Sequence, residues 1–112
     1  MLKKLTFDQL GLSPHVLKAV QDMGFEEASA IQSEAIPLAI EGKDLVAQAM
    51  TGSGKTAAFG IPLIEKIDPK VMSPQAIVLC PTRELAMQVC AEIHKLASFK
   101  DGVRATPVYG GA

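Results

Sequence analysis

A run of small residues around one lysine is the part of this sequence best suited to chemistry. Residues 49–56 read AMTGSGKT, with Gly52 and Gly54 ahead of Lys55 and Thr56. Small residues let backbone N–H groups face an anion, a lysine can reach β and γ phosphate oxygens, and a hydroxyl can ligate Mg²⁺. Ala49 replaces the first glycine of the usual GxxxxGK(S/T) pattern, so the entry turn must use a φ that alanine tolerates. We predict a nucleotide phosphate loop.

The elements around this loop favour a nucleotide site over a flexible glycine turn with a solvated lysine. Residues 44–50, DLVAQAM, predict a short strand before the loop. Residues 55–67 predict a helix after it, with a kink or an early break at Pro62. A plain glycine turn explains neither neighbour.

Helices and strands alternate along the rest of the chain. Ser13 and Pro14 predict the start of a helix that Gly24 stops, with its apolar face formed by Val16, Leu17, Val20 and Met23. A second helix falls within residues 29–42, kinked or restarted at Pro37 and closed by Gly42, with its apolar face at Ile31, Ala35, Leu38 and Ala39.

The fourth and last predicted helix has Thr82 as its N-cap and carries an apolar stripe of Leu85, Val89, Ile93 and Leu96. The continuous apolar run at residues 76–80 predicts a strand buried on both faces, and residues 102–111 predict a short strand that ends in two glycines. The βαβαβ order predicts a parallel, right-handed, three-layer α/β fold.

Composition limits the chemistry further. The 112 residues are 48% hydrophobic, which fits one compact domain or part of one. The 11 basic and 12 acidic residues nearly balance, so the chain has no overall positive field that would attract a polyanion. Cys80 and Cys90 lack zinc-site spacing and are predicted to be buried thiols, while His15 and His94 lack an evident acidic or thiol partner. No targeting or membrane segment is visible, so a cytoplasmic location is expected.

Four motifs in register resemble the first RecA-like domain of DEAD-box RNA helicases. The motifs are GFEEASAIQ (24–32), AQAMTGSGKT (47–56), PTRELA (81–86) and GG (110–111). The resemblance runs from about Phe7 to Gly111. It implies a three-layer, RecA-like P-loop NTPase fold with a parallel sheet, of which residues 1–112 form the N-terminal part. Residues 1–42 would be the adenine-recognition region, and residues 43–112 the P-loop and RNA-contacting region.

The same resemblance implies an ATP-dependent RNA helicase that uses ATP and Mg²⁺ to remodel RNA duplexes or ribonucleoproteins. A second RecA-like domain of the parent chain would close with this one over ATP and RNA. The acidic sequence for which the family is named does not occur in these 112 residues, so we expect this segment alone to be inactive. Two alternatives stay open: a nucleotide-dependent RNA-binding module without hydrolysis, and a P-loop kinase or ATPase unrelated to RNA.

The resemblance assigns ATP contacts to individual residues. Gln32 would read adenine, because a carboxamide can donate to adenine N7 and accept from its N6 amine, which guanine cannot match. Phe7 would stack on the adenine ring, or would only be a hydrophobic staple before the first helix. Lys55 and Thr56 would act in catalysis, with Thr56 on the metal. The phosphate loop would comprise Ala49, Met50, Thr51, Gly52, Ser53, Gly54, Lys55 and Thr56.

Two departures from the family pattern bear on the nucleotide site. Ala28 and Ala30 flank Ser29 where the family usually has prolines around a threonine, so the hydroxyl is kept and the rigid φ values are lost. Met50 stands where glutamine is frequent, at a side chain that need not touch phosphate.

The resemblance also assigns RNA contacts. Pro81, Thr82 and Arg83 would meet an RNA phosphate at a helix N-terminus, and Gly110 and Gly111 would let backbone approach the sugar-phosphate chain. The alternatives are that Thr82 is only an N-cap followed by a solvated first turn, and that the glycine pair is a plain turn.

Overall fold

The computed structural model describes residues 5–25, 27–45 and 55–109. A short 3-10 helix, Phe7–Gln9, precedes four α-helices in these ranges: α1 (Pro14–Asp22), α2 (Ala30–Ile40), α3 (Lys55–Lys66) and α4 (Arg83–Leu96). None of the helices in the described ranges is long and apolar enough to span a membrane.

A serine or threonine stands directly before three of the helices, as predicted at Ser13 and Thr82. Ser13 precedes α1 with Pro14 at its first turn, Ser29 precedes α2, and Thr82 precedes α4. The Thr82 hydroxyl accepts a hydrogen bond from the backbone N–H of Leu85 at 3.1 Å. That bond satisfies one of the N–H groups that every helix start leaves unpaired. These predicted starts are confirmed.

Neither internal proline ends its helix. α2 continues through Pro37 to Ile40, and α3 continues through Pro62 to Lys66. Each proline removes one hydrogen bond from its helix, whereas α2 and α3 pack against each other along their lengths. Packing of this kind supplies most of the stability of a helix in a folded protein. The expected early break at Pro62 is therefore wrong.

α3 lies at the centre of the core, in contact with α1, α2 and α4. Gly60 allows the closest approach of α3 to α4, since a Cβ there would lie 3.1 Å from Leu96 Cδ1. The side chains buried most completely are Ile36, Ile61, Ile64, Leu96, Val16 and Val20. These side chains come from all four helices, and the helix that follows the phosphate loop is held by the other three.

The buried face of α2 differs from the predicted one. Leu38, predicted to face the core, is 37% exposed, while Ile31 and Ala39 are half-buried. The buried residues of α2 are Gln32, Ser33, Ala35 and Ile36. Two of them are polar. A hydropathy pattern places polar side chains in solvent, because it carries no information on the hydrogen-bond partners that allow them to be buried.

The two predicted strands within the described ranges are not formed there. Residues 76–80 and 103–109 adopt neither helix nor strand, and Ile77 and Leu79 are 83% and 91% exposed. A parallel strand needs a neighbour to receive its hydrogen bonds, and none lies beside these segments in the described part of the chain. The strand and loop predicted at residues 46–54 lie outside the described residues. The bridge found in these ranges joins Thr6 to Glu27, in antiparallel fashion.

Gly102, in the turn after α4, allows a test of this packing. Its φ is +87°, and a Cβ there would lie 2.8 Å from Cβ of the rigid Pro69 ring. Gly24 has a similar φ of +84°, with nothing within 4 Å of a Cβ. We expect Gly24→Ala to cost about 1 kcal/mol of unfolding free energy through backbone strain, and Gly102→Ala to cost roughly 1–3 kcal/mol more through overpacking. Denaturant titrations of both variants check this, and equal losses would contradict the close contact with Pro69.

Candidate nucleotide and RNA site

Backbone pairing fastens the chain before α1 to the chain before α2. The Ala28 N–H donates to the Leu5 carbonyl at 2.7 Å, beside the Thr6–Glu27 bridge. Ser33, which is 7% exposed, accepts from the Leu5 N–H at 2.9 Å and donates to the Ala28 carbonyl at 3.5 Å. One buried hydroxyl thus joins both segments to α2.

A reciprocal capping box fixes Gln32 at the start of α2. The Ser29 N–H donates to Gln32 Oε1 at 2.9 Å, and the Gln32 N–H donates to Ser29 Oγ at 3.3 Å. Gln32 is 5% exposed, so its carboxamide is held by packing as well. An amide oxygen accepts two hydrogen bonds, which makes capping compatible with a further contact to a ligand. The capping box supplies rigidity where Ala28 and Ala30 replace prolines.

Phe7 is part of the core. It is 2% exposed, and its ring stacks on Phe25 with the centroids 5.9 Å apart and the planes 19° apart. This environment favours the hydrophobic alternative for Phe7. Stacking on adenine requires an accessible ring face, and the adenine contact of Phe7 stays a prediction.

Lys55 and Thr56 are the first two residues of α3. The Lys55 side chain is exposed, and Thr56 is half-buried. The first turn of a helix carries unpaired N–H groups and a partial positive charge, both favourable to phosphate. The remaining predicted loop residues, Ala49, Met50, Thr51, Gly52, Ser53 and Gly54, lie outside the described residues.

The far end of α3 is fixed by a lysine. Lys100 Nζ donates to the carbonyl oxygens of Ile64 and Ile67, at 2.6 and 2.8 Å. Carbonyls at a helix C-terminus lack partners within the helix, and a cation also complements their partial negative charge. α3 is therefore restrained at the end opposite to Lys55.

Glu65 links α3 to the start of α1. Its carboxylate accepts from the Ser13 N–H at 3.0 Å and from the Ser13 hydroxyl at 2.5 Å. That hydroxyl also lies 3.0 Å from His15 Nε2, so His15 is less isolated than the sequence indicated. The Ser13 hydroxyl lies between the imidazole and the carboxylate. In a catalytic triad the imidazole lies between the serine and the carboxylate, so this arrangement does not activate Ser13 as a nucleophile. The group is a helix anchor.

Two predicted RNA-contacting segments meet at one place. Arg83 begins α4 next to Thr82, and its guanidinium carbon lies 4.5 Å from the ring centroid of Tyr109. Tyr109 directly precedes Gly110, and the glycine pair itself lies outside the described residues. Pro81, Thr82 and Arg83 are exposed. The sequence analysis overlooked Tyr109, the one tyrosine of the chain, because no motif includes it.

His94 holds the segment that leads to Tyr109. The Ala105 N–H donates to His94 Nε2 at 3.1 Å, so this nitrogen is the unprotonated one and the hydrogen resides on Nδ1. The partner of His94 is a backbone N–H, not the acidic or thiol group whose absence the sequence indicated, and the bond joins the segment at Ala105 to α4.

Metal-binding clusters are not a feature of the described ranges, where no three His, Cys, Asp or Glu side chains converge. Cys80 and Cys90 are free and half-buried, against the expectation of full burial. The Thr56 hydroxyl is a hard oxygen donor of the kind that Mg²⁺ prefers, so it fits the predicted role.

Comparison with known proteins agrees with these observations. The DEAD/DEAH box helicase family model matches residues 29–112. The DEAD-box ATP-dependent RNA helicase CshA of Geobacillus kaustophilus is 54% identical over 106 residues, covering 95% of this chain and 22% of the relative. The crystal structure of the RNA helicase Prp28 from Chaetomium thermophilum bound to ADP has a TM-score of 0.84 and 39% identity, covering 96% of this chain and 27% of that one.

A second similar structure contains RNA together with a nucleotide complex. Saccharomyces cerevisiae Dbp5 bound to RNA and ADP BeF3 has a TM-score of 0.81 and 40% identity, covering 85% of this chain and 25% of that one. The chain belongs to the DEAD/DEAH box helicase family, and the predicted RecA-like fold of a partial domain is confirmed. It spans about a fifth of the length of the curated relatives it matches.

Ser33→Ala tests the frame around Gln32. The substitution leaves the Leu5 N–H and the Ala28 carbonyl without the hydroxyl, and an unpaired buried polar group costs about 1–3 kcal/mol. We expect amide hydrogen exchange at Leu5 to rise about tenfold or more. Ser98→Ala, at an exposed serine after α4, is the matched control and should leave exchange at Leu5 unchanged. Equal exchange in both variants would contradict the role of Ser33.

Proposed function

We propose that this chain is the ATP-binding, N-terminal part of an ATP-dependent RNA helicase that remodels RNA duplexes or ribonucleoproteins. The observation that carries the proposal is the packing of α2, which holds Gln32, against α3, which begins with Lys55 and Thr56. This packing fixes a base-reading carboxamide relative to a phosphate-binding helix start. Family membership and the relatives named above support the same function.

In this proposal Gln32 selects adenine. Its carboxamide donates to N7 and accepts from the N6 amine, while the Ser29 N–H occupies one acceptor position of the same oxygen. Guanine presents a carbonyl oxygen in place of the amine, so ATP is preferred to GTP. Phe7 stacks on Phe25 and directly follows Thr6, which pairs with Glu27 shortly before α2. We keep the contact of Phe7 with the adenine ring as part of the proposal.

Residues 49–56 hold the triphosphate. Lys55 neutralises charge on the β and γ phosphate oxygens, and the N-terminus of α3 adds backbone N–H donors. Thr56 is the residue that would hold Mg²⁺ through its hydroxyl. A bound Mg²⁺ neutralises the charge that develops on the phosphate oxygens.

RNA is bound along its backbone and not read by sequence. Thr82 and the α4 N-terminus offer N–H groups to a phosphate, Pro81 shapes the entry to the helix, and Arg83 adds a cation. Gly110 and Gly111 let the RNA backbone approach. Dbp5, a structural neighbour of this chain, has been solved with RNA, which supports RNA as the ligand.

The rest of the catalytic machinery belongs to other parts of the parent protein. We assign residues 1–42 to adenine recognition and residues 43–112 to the phosphate loop and RNA contacts. A second RecA-like domain and an acidic metal-binding pair complete the hydrolytic site. A cytoplasmic location fits an enzyme acting on RNA.

ATPase rates of the full-length protein, with and without single-stranded RNA, test the proposal. We expect RNA to stimulate hydrolysis, and Lys55→Ala to lower the rate by at least 100-fold, on the order of the loss of one stabilising group from a transition state. Lys66→Ala removes the same charge from the other end of α3 and should change the rate less than threefold. Gln32→Ala should reduce the preference for ATP over GTP about tenfold, whereas exposed Gln21→Ala should not.

Two results would contradict the proposal. Hydrolysis that ignores RNA would indicate a P-loop ATPase of another kind. RNA binding that ATP strengthens without any turnover by the full-length protein would indicate a nucleotide-dependent binding module instead.

A further inference from the structure

We infer that Tyr109 is a positioning residue for RNA binding, which holds the Arg83 guanidinium at the start of α4. The inference rests on the proposed function and adds to it a residue outside the four motifs. Its basis is the cation–π contact of 4.5 Å between the Arg83 guanidinium carbon and the Tyr109 ring centroid. This contact joins the first residue of α4 to the residue before the glycine pair.

The contact leaves Arg83 able to bind a phosphate. A cation–π interaction uses the π cloud of the ring and consumes none of the five N–H donors of the guanidinium. An exposed arginine otherwise samples many rotamers, and fixing them on binding weakens affinity. Tyr109 therefore lowers the ordering cost that Arg83 meets when it binds RNA.

The segment that leads to Tyr109 is hydrogen-bonded to α4. Ala105 lies four residues before Tyr109, and its N–H donates to His94 Nε2 on this helix. The Tyr109 ring is 48% exposed, so it contacts Arg83 at the surface, where an RNA strand can reach the guanidinium. Arg83 thus belongs to α4, and the segment that leads to Tyr109 is hydrogen-bonded to the same helix at Ala105.

The test is a double-mutant cycle on the full-length protein, with fluorescently labelled single-stranded RNA and a non-hydrolysable ATP analogue. We expect Tyr109→Leu to weaken RNA binding about two- to fivefold, the size of an exposed cation–π contact, and Tyr109→Phe to bind like wild type. Arg83→Gln should lower the dependence of log affinity on log salt by about 0.7, as expected for one lost phosphate contact on a single strand. Adding Tyr109→Leu to Arg83→Gln should cause no further loss.

Arg104→Gln is the matched control, because it removes the same charge from an exposed residue of the segment that carries Tyr109. Combined with Tyr109→Leu, its effect should be additive. Wild-type affinity in Tyr109→Leu, or full additivity with Arg83→Gln, would overturn the inference while the proposed function stands. Absence of RNA binding by the wild-type protein would overturn the proposed function and this inference together.

Discussion

The hydrogen bonds of Ser29 and Ser33 at the start of α2 are the constraint on which the candidate nucleotide site depends. Ser29 fixes the Gln32 carboxamide, and Ser33 fastens the segments at Leu5 and Ala28 to the same helical turn. α2 then packs on α3, whose first residues are those expected to hold phosphate. The position of Gln32 relative to Lys55 and Thr56, the residues predicted to meet base and phosphate, is therefore set by helix packing.

Burying polar groups at this point is costly unless each has a partner. In the part of the chain that the structure describes, no buried side-chain nitrogen or oxygen lacks one. A fully satisfied polar cluster is rigid, since any displacement leaves a buried donor or acceptor unpaired. α3 is restrained in the same manner by Lys100 at its C-terminus and by Glu65 at the start of α1. Rigidity of this kind suits a site that must discriminate between two purine rings.

Local signals predicted the parts of the fold that depend on local chemistry. Ser13 and Thr82 were predicted to precede helices, and at Thr82 the side-chain oxygen pairs an N–H of the first turn, whereas at Ser13 the hydroxyl bonds Glu65 instead. The predicted apolar stripe of α4 is buried at Val89, Ile93 and Leu96, whereas its fourth member, Leu85 in the first turn, is 39% exposed. The buried face of α2 was missed because the burial of Ser33 depends on Leu5, which is 28 residues away.

Features that need partners distant in sequence could not be predicted. Residues 76–80 have the composition of a buried strand, yet a strand forms only beside another, and hydropathy cannot supply the neighbour. Arg83 and Tyr109 lie 26 positions apart, and the hydrogen bond from Ala105 to His94 also joins residues distant in sequence. By contrast, Gln32, Lys55 and Thr56 belong to sequence motifs, which is why they could be predicted as site residues without knowledge of the fold; their contacts with nucleotide stay predictions.

The central claim is that Gln32 reads adenine from the rigid start of α2. It can be tested with a nucleotide that is altered at a single ring atom. Binding of ATP and of 7-deaza-ATP, which lacks the N7 acceptor, would be measured by calorimetry on the full-length protein and its Gln32→Ala variant. We predict that wild type binds 7-deaza-ATP about tenfold more weakly, since a donor left unpaired in a buried site costs about 1–3 kcal/mol, and that Gln32→Ala binds both nucleotides equally. Equal affinity of wild type for the two nucleotides would contradict the account.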